Sequence, residues 1–546
     1  MKLKRCVLKS IHLAALALAT CVGAHATTDN IDLPFRDDPE VIGTWKSIAF
    51  VESTEGFVPD TRPADTELFL KELAFLPQGH TSTPIWTWTQ GVLISTVAKT
   101  ASKYTFEDIG GLRYMFLQWK GGDYTRLNRA PGYYVLVRDL DFTRVPTPMQ
   151  KVPAPQQEVF DEHYYECLVD SSSAGGICTQ PSPSTFRPQS LTALPHYDSN
   201  SAKMWQLDLR KQDILKLSLE GRTADLLYAD FDTETKFPKY LPNGFAPKAI
   251  MELGKNPGLG LRKLHQEGNT GKGVAIAIID QPLLVDHPEY AQRLKSFEEI
   301  HLLDPRAQMH GEALASIAVG KNSGVAPGTD VYYIANNYWD RIGMNYISLA
   351  KAISRIVAFN EVLPKGQKIR ALAIARGFEP SEKGYAELAT AIDRAKKAGI
   401  FVVSSSLQDH YGFSFNGLGR EPMANPERPA SYGPGIFWQN NFFQRGVGAS
   451  STTLLVPMDS RTVAAPDGTA DYVFYRQGGW SWAIPYITGL YALACQVKPD
   501  ITPELFWKKA LETGDSVTIK KDGKQFRLER VVNPRKLIQS LKRHSS

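Results

Sequence analysis

Three short stretches of this chain contain the side-chain types that nucleophilic catalysis needs, in the order aspartate, histidine, serine. Asp280 closes an apolar run at 274–279, and an aspartate at the end of a buried strand needs a partner because an unpaired buried carboxylate is costly. His310 stands at a predicted helix start, where a histidine close to a carboxylate can take up a serine proton and return it. Ser481 begins another predicted helix, whose backbone N–H groups and dipole favour developing negative charge.

The motifs around these residues resemble those of the subtilisin-like serine proteases (subtilases, peptidase family S8). The stretch His310-Gly311-Glu312-Ala313-Leu314-Ala315, followed by Gly324-Val325-Ala326-Pro327, is similar to the family's His-Gly-Thr-His-Val-Ala and Gly-Val-Ala-Pro. The family's Gly-Thr-Ser-Met-Ala-x-Pro-His-Val-Ala-Gly is matched at Gly479, Ser481, Ala483, Pro485 and Gly489. The resemblance implies a catalytic triad of Asp280, His310 and Ser481.

The oxyanion site departs from the family pattern. The family places an asparagine after a strand, whereas the corresponding stretch at 402–408 ends on Gln408, whose amide is one methylene further from the backbone. We expect Gln408 and the Ser481 backbone N–H to be the two donors, and removing such a donor from a family member costs ~10²–10³ in rate. Trp480 and Trp482 replace smaller residues beside the serine and predict a narrower site.

A substrate-binding segment is implied at Ala375-Arg376-Gly377. In the family the corresponding strand binds the substrate by β-pairing. Arg376 leads to the hypothesis that acidic substrate side chains are favoured. The alternative is that Arg376 points to solvent or pairs with a nearby carboxylate.

The second half of the chain has the rhythm of an α/β fold. Apolar runs at 274–279, 331–334, 369–374 and 400–403 read as buried strands, with helical stretches such as 387–395 between them. This rhythm predicts a parallel sheet with flanking helices, and the motif resemblance implies that the sheet belongs to a subtilisin-like peptidase domain at 265–546.

The first half is predicted to contain a β-rich domain at 40–140. Aromatic or alternating runs are separated by glycine-rich turns, which is typical of an antiparallel barrel. Gly43-Thr44-Trp45 resembles the Gly-x-Trp signature of lipocalin-like barrels, which implies a cup for a small apolar ligand. The alternative is a packed barrel without a ligand. The stretch 141–264, with Pro-rich segments, is predicted to be a linker and mixed region.

Residues 1–26 have the features of a cleaved signal peptide. A basic start and a short apolar run precede Ala24-His25-Ala26, the pattern after which signal peptidase cuts. The prediction is a secreted or periplasmic protein without a transmembrane anchor, and the alternative is a lipid anchor on Cys21. The chain has 62 Lys and Arg against 57 Asp and Glu, and removing 1–26, which hold four Lys and Arg and no acid, leaves 58 against 57. This balance does not predict a nucleic-acid partner.

After that cleavage three cysteines remain. Cys167 and Cys178 flank a polar loop, and export to an oxidising compartment predicts a disulfide between them. Cys495 lies in an apolar run and is read as a small buried residue. No zinc motif is found and no cofactor is predicted to be required. Calcium dependence is left open.

The favoured interpretation is an exported serine endopeptidase that acts on protein or peptide substrates through a Ser481 acyl-enzyme. The alternative is a subtilisin-like scaffold with weak or no catalysis that acts as a binding protein beside a ligand-binding barrel.

Overall fold

The computed structural model describes residues 31–51, 53–55, 57, 70, 72–82, 86–95, 100–120, 132–139, 164–170, 175–188, 190–198, 205–338, 344–380, 382–445 and 449–542. The predicted signal sequence at 1–26 and the Pro-rich stretch at 145–155 lie outside these residues. Two compact units divide the chain: an N-terminal unit, Met1–Gln157 with Asn200–Lys203, and a C-terminal unit, Glu158–Ser199 with Met204–Ser546.

The N-terminal unit contains a closed barrel of eight strands, in which every neighbouring pair is antiparallel, so the predicted barrel is confirmed. The strands are β1 (Gly43–Val51), β2 (Glu72–Leu76), β3 (His80–Thr81), β4 (Trp86–Thr89), β5 (Val92–Ser95), β6 (Thr100–Ile109), β7 (Leu112–Trp119) and β8 (Gly132–Arg138).

Large side chains from strands all around the barrel pack into one buried cluster, which places that cluster in the barrel interior. The polar atoms of its aromatic members are paired. Trp45 Nε1 donates to the Val41 carbonyl at 2.8 Å, and Tyr104 Oη donates to Asp38 Oδ2 at 2.9 Å. Aromatic rings that pack edge to face and have satisfied polar atoms are characteristic of a packed barrel core.

The C-terminal unit is built on a seven-stranded sheet in the order β10-β14-β15-β13-β16-β17, with β9 added beside β14. All pairs are parallel except β9 with β14. Side chains of β13 are buried on both faces, which explains its continuous apolar run. The strands are β9 (Tyr165–Cys167), β10 (Gly176–Ile177), β13 (Ala275–Asp280), β14 (Leu294–Leu302), β15 (Asp330–Asn336), β16 (Ile369–Ile374) and β17 (Phe401–Ser404).

Two further sheets belong to this unit. One has the order β11-β12-β22-β21 and the other β19-β18-β20-β24-β23. Their strands are β11 (Leu207–Asp208), β12 (Ala229–Asp232), β18 (Ser414–Arg420), β19 (Tyr432–Pro434), β20 (Thr453–Pro457), β21 (Arg461–Ala464), β22 (Tyr472–Tyr475), β23 (Asp515–Lys521) and β24 (Lys524–Val531).

Two helices of the C-terminal unit, α4 and α9, are buried on nearly all sides, as their apolar composition requires. The helices are α1 (Thr223–Leu226), α2 (Pro247–Lys255), α3 (Leu261–Gln266), α4 (Met309–Val319), α5 (Ile347–Val362), α6 (Tyr385–Lys397), α7 (Leu407–Tyr411), α8 (Gln439–Arg445), α9 (Trp480–Val497), α10 (Pro503–Thr513) and α11 (Pro534–Lys542). Within the described ranges, no helix has both the length and the apolarity needed to cross a membrane.

The region predicted as a linker and mixed segment at 141–264 has more structure than its sequence indicated. From Glu158 onward, apart from 200–203, it belongs to the C-terminal unit. β12 pairs with β22, so that Phe231 lies opposite Phe474, a residue close to Ser481 in sequence. The stretch 205–264 is therefore an integral part of the C-terminal unit.

Cys167 and Cys178, for which the sequence predicts a disulfide, are free thiols in this structure. Cys167 ends β9 opposite Glu299, and Cys178 follows β10, so β14 brings them close together. Cys178 Sγ lies 3.1 Å from the Cys167 carbonyl oxygen and is directed at that oxygen. Cys495 is buried in α9, as expected.

Candidate active site

Asp280 and His310 form a hydrogen-bonded pair at the carboxyl end of β13. Asp280 is 3% exposed, and its Oδ1 accepts hydrogen bonds from His310 Nδ1 at 2.7 Å and from the Gln281 N–H at 2.8 Å. Because a buried carboxylate is stable only when paired, Asp280 fixes the His310 ring with the proton on Nδ1. His310 Nε2 is therefore the nitrogen available as a base.

Gly311 explains how α4 approaches β13 closely enough for this pair to form. A Cβ atom at this position would lie 2.1 Å from the Gln281 carbonyl oxygen and 2.5 Å from Tyr333 Oη. Both atoms are fixed, since Tyr333 Oη donates to that carbonyl at 2.5 Å. A side chain larger than hydrogen would push His310 away from Asp280.

Ser481 is the second residue of α9, and Gly479 is the N-cap. The first N–H groups of a helix lack a carbonyl partner four residues earlier, and the Ser481 N–H makes no hydrogen bond to any residue that the structure describes, so it can donate to a ligand oxygen. Ser481 Oγ donates to the Ala375 carbonyl at 3.3 Å. Within the described part of the chain it makes no hydrogen bond to His310, so the hydroxyl must rotate before it can pass its proton to that ring.

The contact with Ala375 brings the predicted substrate-binding segment beside the predicted nucleophile. Ala375, Arg376 and Gly377 follow β16, and the Arg376 carbonyl accepts from the Ser405 N–H at 2.9 Å. Ser406 Oγ accepts from the Phe378 N–H at 3.0 Å. These bonds fix the segment against the stretch that leads to Gln408.

Arg376 lies in an aromatic environment. Its Cζ is 4.3 Å from the ring centroid of Tyr338 and 5.7 Å from that of Tyr346. Nη2 contacts Met344 Sδ at 2.8 Å, and Arg376 makes no ion pair with any residue that the structure describes. Burial raises the pKa of Glu382 and the charge of Arg376 opposes that rise, so a carboxylate lies near enough to interact with Arg376 without forming an ion pair.

Gln408 does not end a strand. It lies in the short helix α7, and it is exposed to solvent. Its backbone carbonyl accepts from the Gly412 N–H at 2.9 Å, while its side-chain amide has no hydrogen-bond partner among the described residues. The amide is thus accessible but is not held in place.

The two tryptophans beside Ser481 have opposite environments, which the sequence did not indicate. Trp482 is 4% exposed, and its ring lies edge to face with His310, at 5.6 Å between centroids, and with Tyr475, at 5.7 Å. It supports the His310 ring instead of narrowing an open cleft. Trp480 is 41% exposed.

Glu312, a departure from the family motif, is fully buried in α4, two residues after His310. Oε1 accepts from the Leu284 N–H at 2.7 Å, and Oε2 is bonded to Tyr290 Oη. Burial raises the pKa of Glu312 to about 8, so it is largely protonated at neutral pH. It ties α4 to the loop after β13, a role that sequence reasoning missed.

As far as the described residues extend, no group of three or more His, Cys, Asp or Glu side chains is arranged to hold a metal ion.

Comparisons with known proteins give a consistent family relationship. Residues 271–433 match the model of the subtilase family, a range that contains Asp280, His310 and Gln408 but ends before Ser481. A subtilisin-like protease, PopC of Myxococcus xanthus (strain DK1622), is 33% identical over 87 residues. That alignment covers 13% of this chain and 18% of the relative, so the chain spans less than a fifth of that protein.

Several solved subtilases are similar to this chain at low identity. The prenylagaramide maturation protease PagA is 16% identical, covers 52% of this chain and 98% of its own, and has a TM-score of 0.35. A cold adapted subtilisin-like serine proteinase is 16% identical over 45% of this chain and 83% of its own, with a TM-score of 0.33. A structure of subtilase cytotoxin SubAB is 14% identical over 53% and 96%, with a TM-score of 0.38. The family match and the curated relative show that this chain contains a subtilisin-like serine protease domain of the subtilase family, peptidase family S8.

Proposed function

We propose that this protein is a serine endopeptidase that cleaves protein or peptide substrates through an acyl-enzyme on Ser481. The observation that carries the proposal is the 2.7 Å hydrogen bond between His310 Nδ1 and the buried Asp280 carboxylate. It leaves His310 Nε2 as a base, while Ser481 lies at a helix start beside the substrate-binding segment.

The chemistry proceeds in two halves. Ser481 Oγ rotates away from the Ala375 carbonyl, passes its proton to His310 Nε2 and bonds to the substrate carbonyl carbon. The C–N bond then breaks as His310 returns the proton to the leaving amine. In the second half, water gives a proton to His310 Nε2 and attacks the acyl-enzyme ester. His310 then returns the proton to Ser481 Oγ as the carboxylic acid product leaves, and Asp280 stabilises the charged ring of His310 in both halves.

The oxyanion of each tetrahedral intermediate is stabilised by the Ser481 N–H and by the Gln408 amide, which must be ordered by the substrate. Ala375, Arg376 and Gly377 bind the substrate backbone by β-pairing. Arg376, which has no ion-pair partner among the described residues, favours an acidic substrate side chain. No cofactor is required in this scheme, and calcium is not assigned a role.

The proposed location is outside the cytoplasm, reached through the signal sequence at 1–26, with lipid attachment at Cys21 as the alternative. For the barrel, the aromatic core favours a packed barrel over a ligand cup. The competing function is a catalytically weak scaffold that binds peptides, and the observation that favours it is the unanchored amide of Gln408.

The test is hydrolysis of a mixture of unstructured peptides, with products identified by mass spectrometry and Ser481→Ala as the matched control. The expected result is cleavage at internal bonds by the wild type alone. Cleavage confined to chain ends would contradict the endopeptidase assignment. Peptide binding without cleavage by folded wild-type protein would support the scaffold.

A further inference from the structure

Two glycines, Gly478 and Gly479, directly precede α9, the helix that carries Ser481. Neither has a side chain that could pack and hold it, and glycine has more backbone freedom than any other residue. A Cβ atom at Gly478 would lie 2.8 Å from the Met458 carbonyl oxygen, so this close approach requires glycine. The position of Ser481 therefore depends on another group that fixes this flexible pair.

A buried carboxylate holds the first of these glycines. Asp459 is 1% exposed, and its Oδ1 accepts a hydrogen bond from the Gly478 N–H at 2.8 Å. Its Oδ2 accepts from the Ile436 N–H, also at 2.8 Å. Burial raises the pKa of Asp459 to about 6 and the charge of Arg476 opposes that rise. The group is therefore mostly ionised at neutral pH, which makes both hydrogen bonds charge-assisted.

The backbone of Asp459 is itself held firmly. It lies in the connection 458–460 between β20 and β21, two strands of different sheets that are buried along their whole length. The Met458 and Asp459 N–H groups both donate to the Leu418 carbonyl, at 3.0 and 3.1 Å, and the Ser460 N–H donates to the Arg476 carbonyl at 3.1 Å. The carboxylate is thus a fixed point to which the start of α9 is attached.

We propose that Asp459 is a positioning residue, which sets the Ser481 backbone N–H and Oγ for catalysis by holding Gly478. The inference rests on the proposed function and deepens it, because it names what keeps the backbone of the nucleophile in place while its hydroxyl rotates. Asp459 acts through the backbone and does not itself touch the reacting atoms. Only two residues separate Gly478 from Ser481, and a misplacement of about 1 Å at a reacting group can cost about 10²-fold in rate.

The test compares Asp459→Ala with Asp232→Ala in the full chain. Asp232 is a matched control, because it is 4% exposed and accepts from the N–H groups of Lys211 and Glu234, at 3.1 Å each, so it holds a different loop. Hydrogen–deuterium exchange read by mass spectrometry measures the backbone directly. Peptides that contain 478–482 should exchange about 10-fold faster in Asp459→Ala than in the wild type, and at the wild-type rate in Asp232→Ala.

Steady-state hydrolysis of a quenched fluorescent peptide measures the consequence for catalysis. Asp459→Ala should lower kcat about 10-fold and change KM less than about 2-fold, because a misplaced nucleophile slows the chemical step without removing a substrate contact. Asp232→Ala should leave both constants within about 2-fold. Thermal unfolding of the two variants shows whether they lose similar stability, which separates a local effect at α9 from general destabilisation.

If Asp459→Ala does not fold, Asp459→Asn replaces it, since an asparagine keeps the volume but turns its NH₂ group toward one of the two N–H donors. In that variant kcat should fall only if exchange at 478–482 becomes faster. Unchanged exchange at 478–482 in folded Asp459→Ala, or faster exchange there with unchanged kcat, would overturn the proposal. Failure of the proposed function is seen separately, as lack of hydrolysis by the wild type, and the exchange rates then decide whether Asp459 holds the start of α9.

Discussion

Asp280 and His310 on one side of the candidate site, and Ser481 and Gln408 on the other, are held in place to different degrees. The first pair is joined by a hydrogen bond of 2.7 Å and supported by the Trp482 ring. On the other side, Ser481 Oγ is bonded to the Ala375 carbonyl and the Gln408 amide is exposed. The proposed base is thus held by the fold, whereas the proposed nucleophile and one proposed oxyanion donor still require the substrate to bring them into position.

The largest loss of activity should come from Asp280→Asn, which disrupts the pairing of Asp280 with His310. An asparagine leaves the wrong hydrogen-bonding pattern for the His310 ring, so kcat/KM for peptide hydrolysis should fall about 10⁴-fold. The measurement is steady-state hydrolysis of a quenched fluorescent peptide. Asp330→Asn, which changes a partly exposed carboxylate at the start of β15, serves as the control and should retain activity within about 2-fold. Retention of more than a tenth of the activity by Asp280→Asn would show that Asp280 does not orient the base.

The loosely held side is tested by Gln408→Ala. A preorganised oxyanion donor is worth about 10²–10³ in rate, and an amide that must be ordered during the reaction should contribute less. We therefore expect kcat to fall about 30-fold, measured with the same peptide and compared with Gln525→Ala at another exposed glutamine. A change in kcat of less than about 2-fold would show that the Gln408 amide does not stabilise the oxyanion. The Ser481 N–H would then be the one proposed donor that remains.

The support of His310 is tested by Trp482→Leu. Loss of the edge-to-face contact should let the ring shift and lower kcat about 5-fold, with little change in KM. Trp507→Leu is the control, because Trp507 is also buried and stacks on Phe413 at 4.7 Å. Both variants should lose similar stability in thermal unfolding, so equal activity losses would mean that the effect comes from packing in general.

The smallest effect on activity is expected for Glu312→Gln. Its main effect should instead be on how the stability of the folded chain depends on pH. The folded chain holds the Glu312 proton up to about pH 8, while the unfolded chain releases it near the ordinary pKa of 4.5. Stability of the wild type should therefore fall as the pH rises between these values, and the glutamine variant should lack this part of the fall.

The measurement is Tm against pH for both proteins. The advantage of Glu312→Gln should appear only as the pH rises, at about 2–4 °C per kcal/mol. A constant difference at all pH values would contradict the assigned protonation of Glu312. Activity should stay within about 2-fold.

The sequence predicted the parts of the molecule that depend on local pattern. The alternating strands of the barrel, the apolar run of β13 and the motif around Ser481 all produce their structure from neighbouring residues. Contacts between distant segments were not predicted. The pairing of β12 with β22 joins residues more than 200 positions apart, and nothing in either segment specifies its partner.

The environment of a side chain could not be predicted from a sequence motif either. Trp480 and Trp482 stand in the same short pattern, yet one is exposed and the other buried, because only α9 and its neighbours decide which face each occupies. Gln408 was expected after a strand, but α7 begins one residue before it. The packing of the two cysteines was not predictable either: Cys178 Sγ lies 3.1 Å from the Cys167 carbonyl oxygen, and both residues are free thiols in this structure.

The most direct test of the central claim is mass-spectrometric mapping of the residue modified by a fluorophosphonate probe on the full chain. Such probes react with an activated serine, so the account predicts one adduct, on Ser481, absent from Ser481→Ala and strongly reduced in Asp280→Asn. The labelled and unlabelled proteins should have the same circular dichroism spectrum. No adduct on folded wild-type protein, or an adduct equally strong in Asp280→Asn, would contradict an Asp280–His310–Ser481 triad.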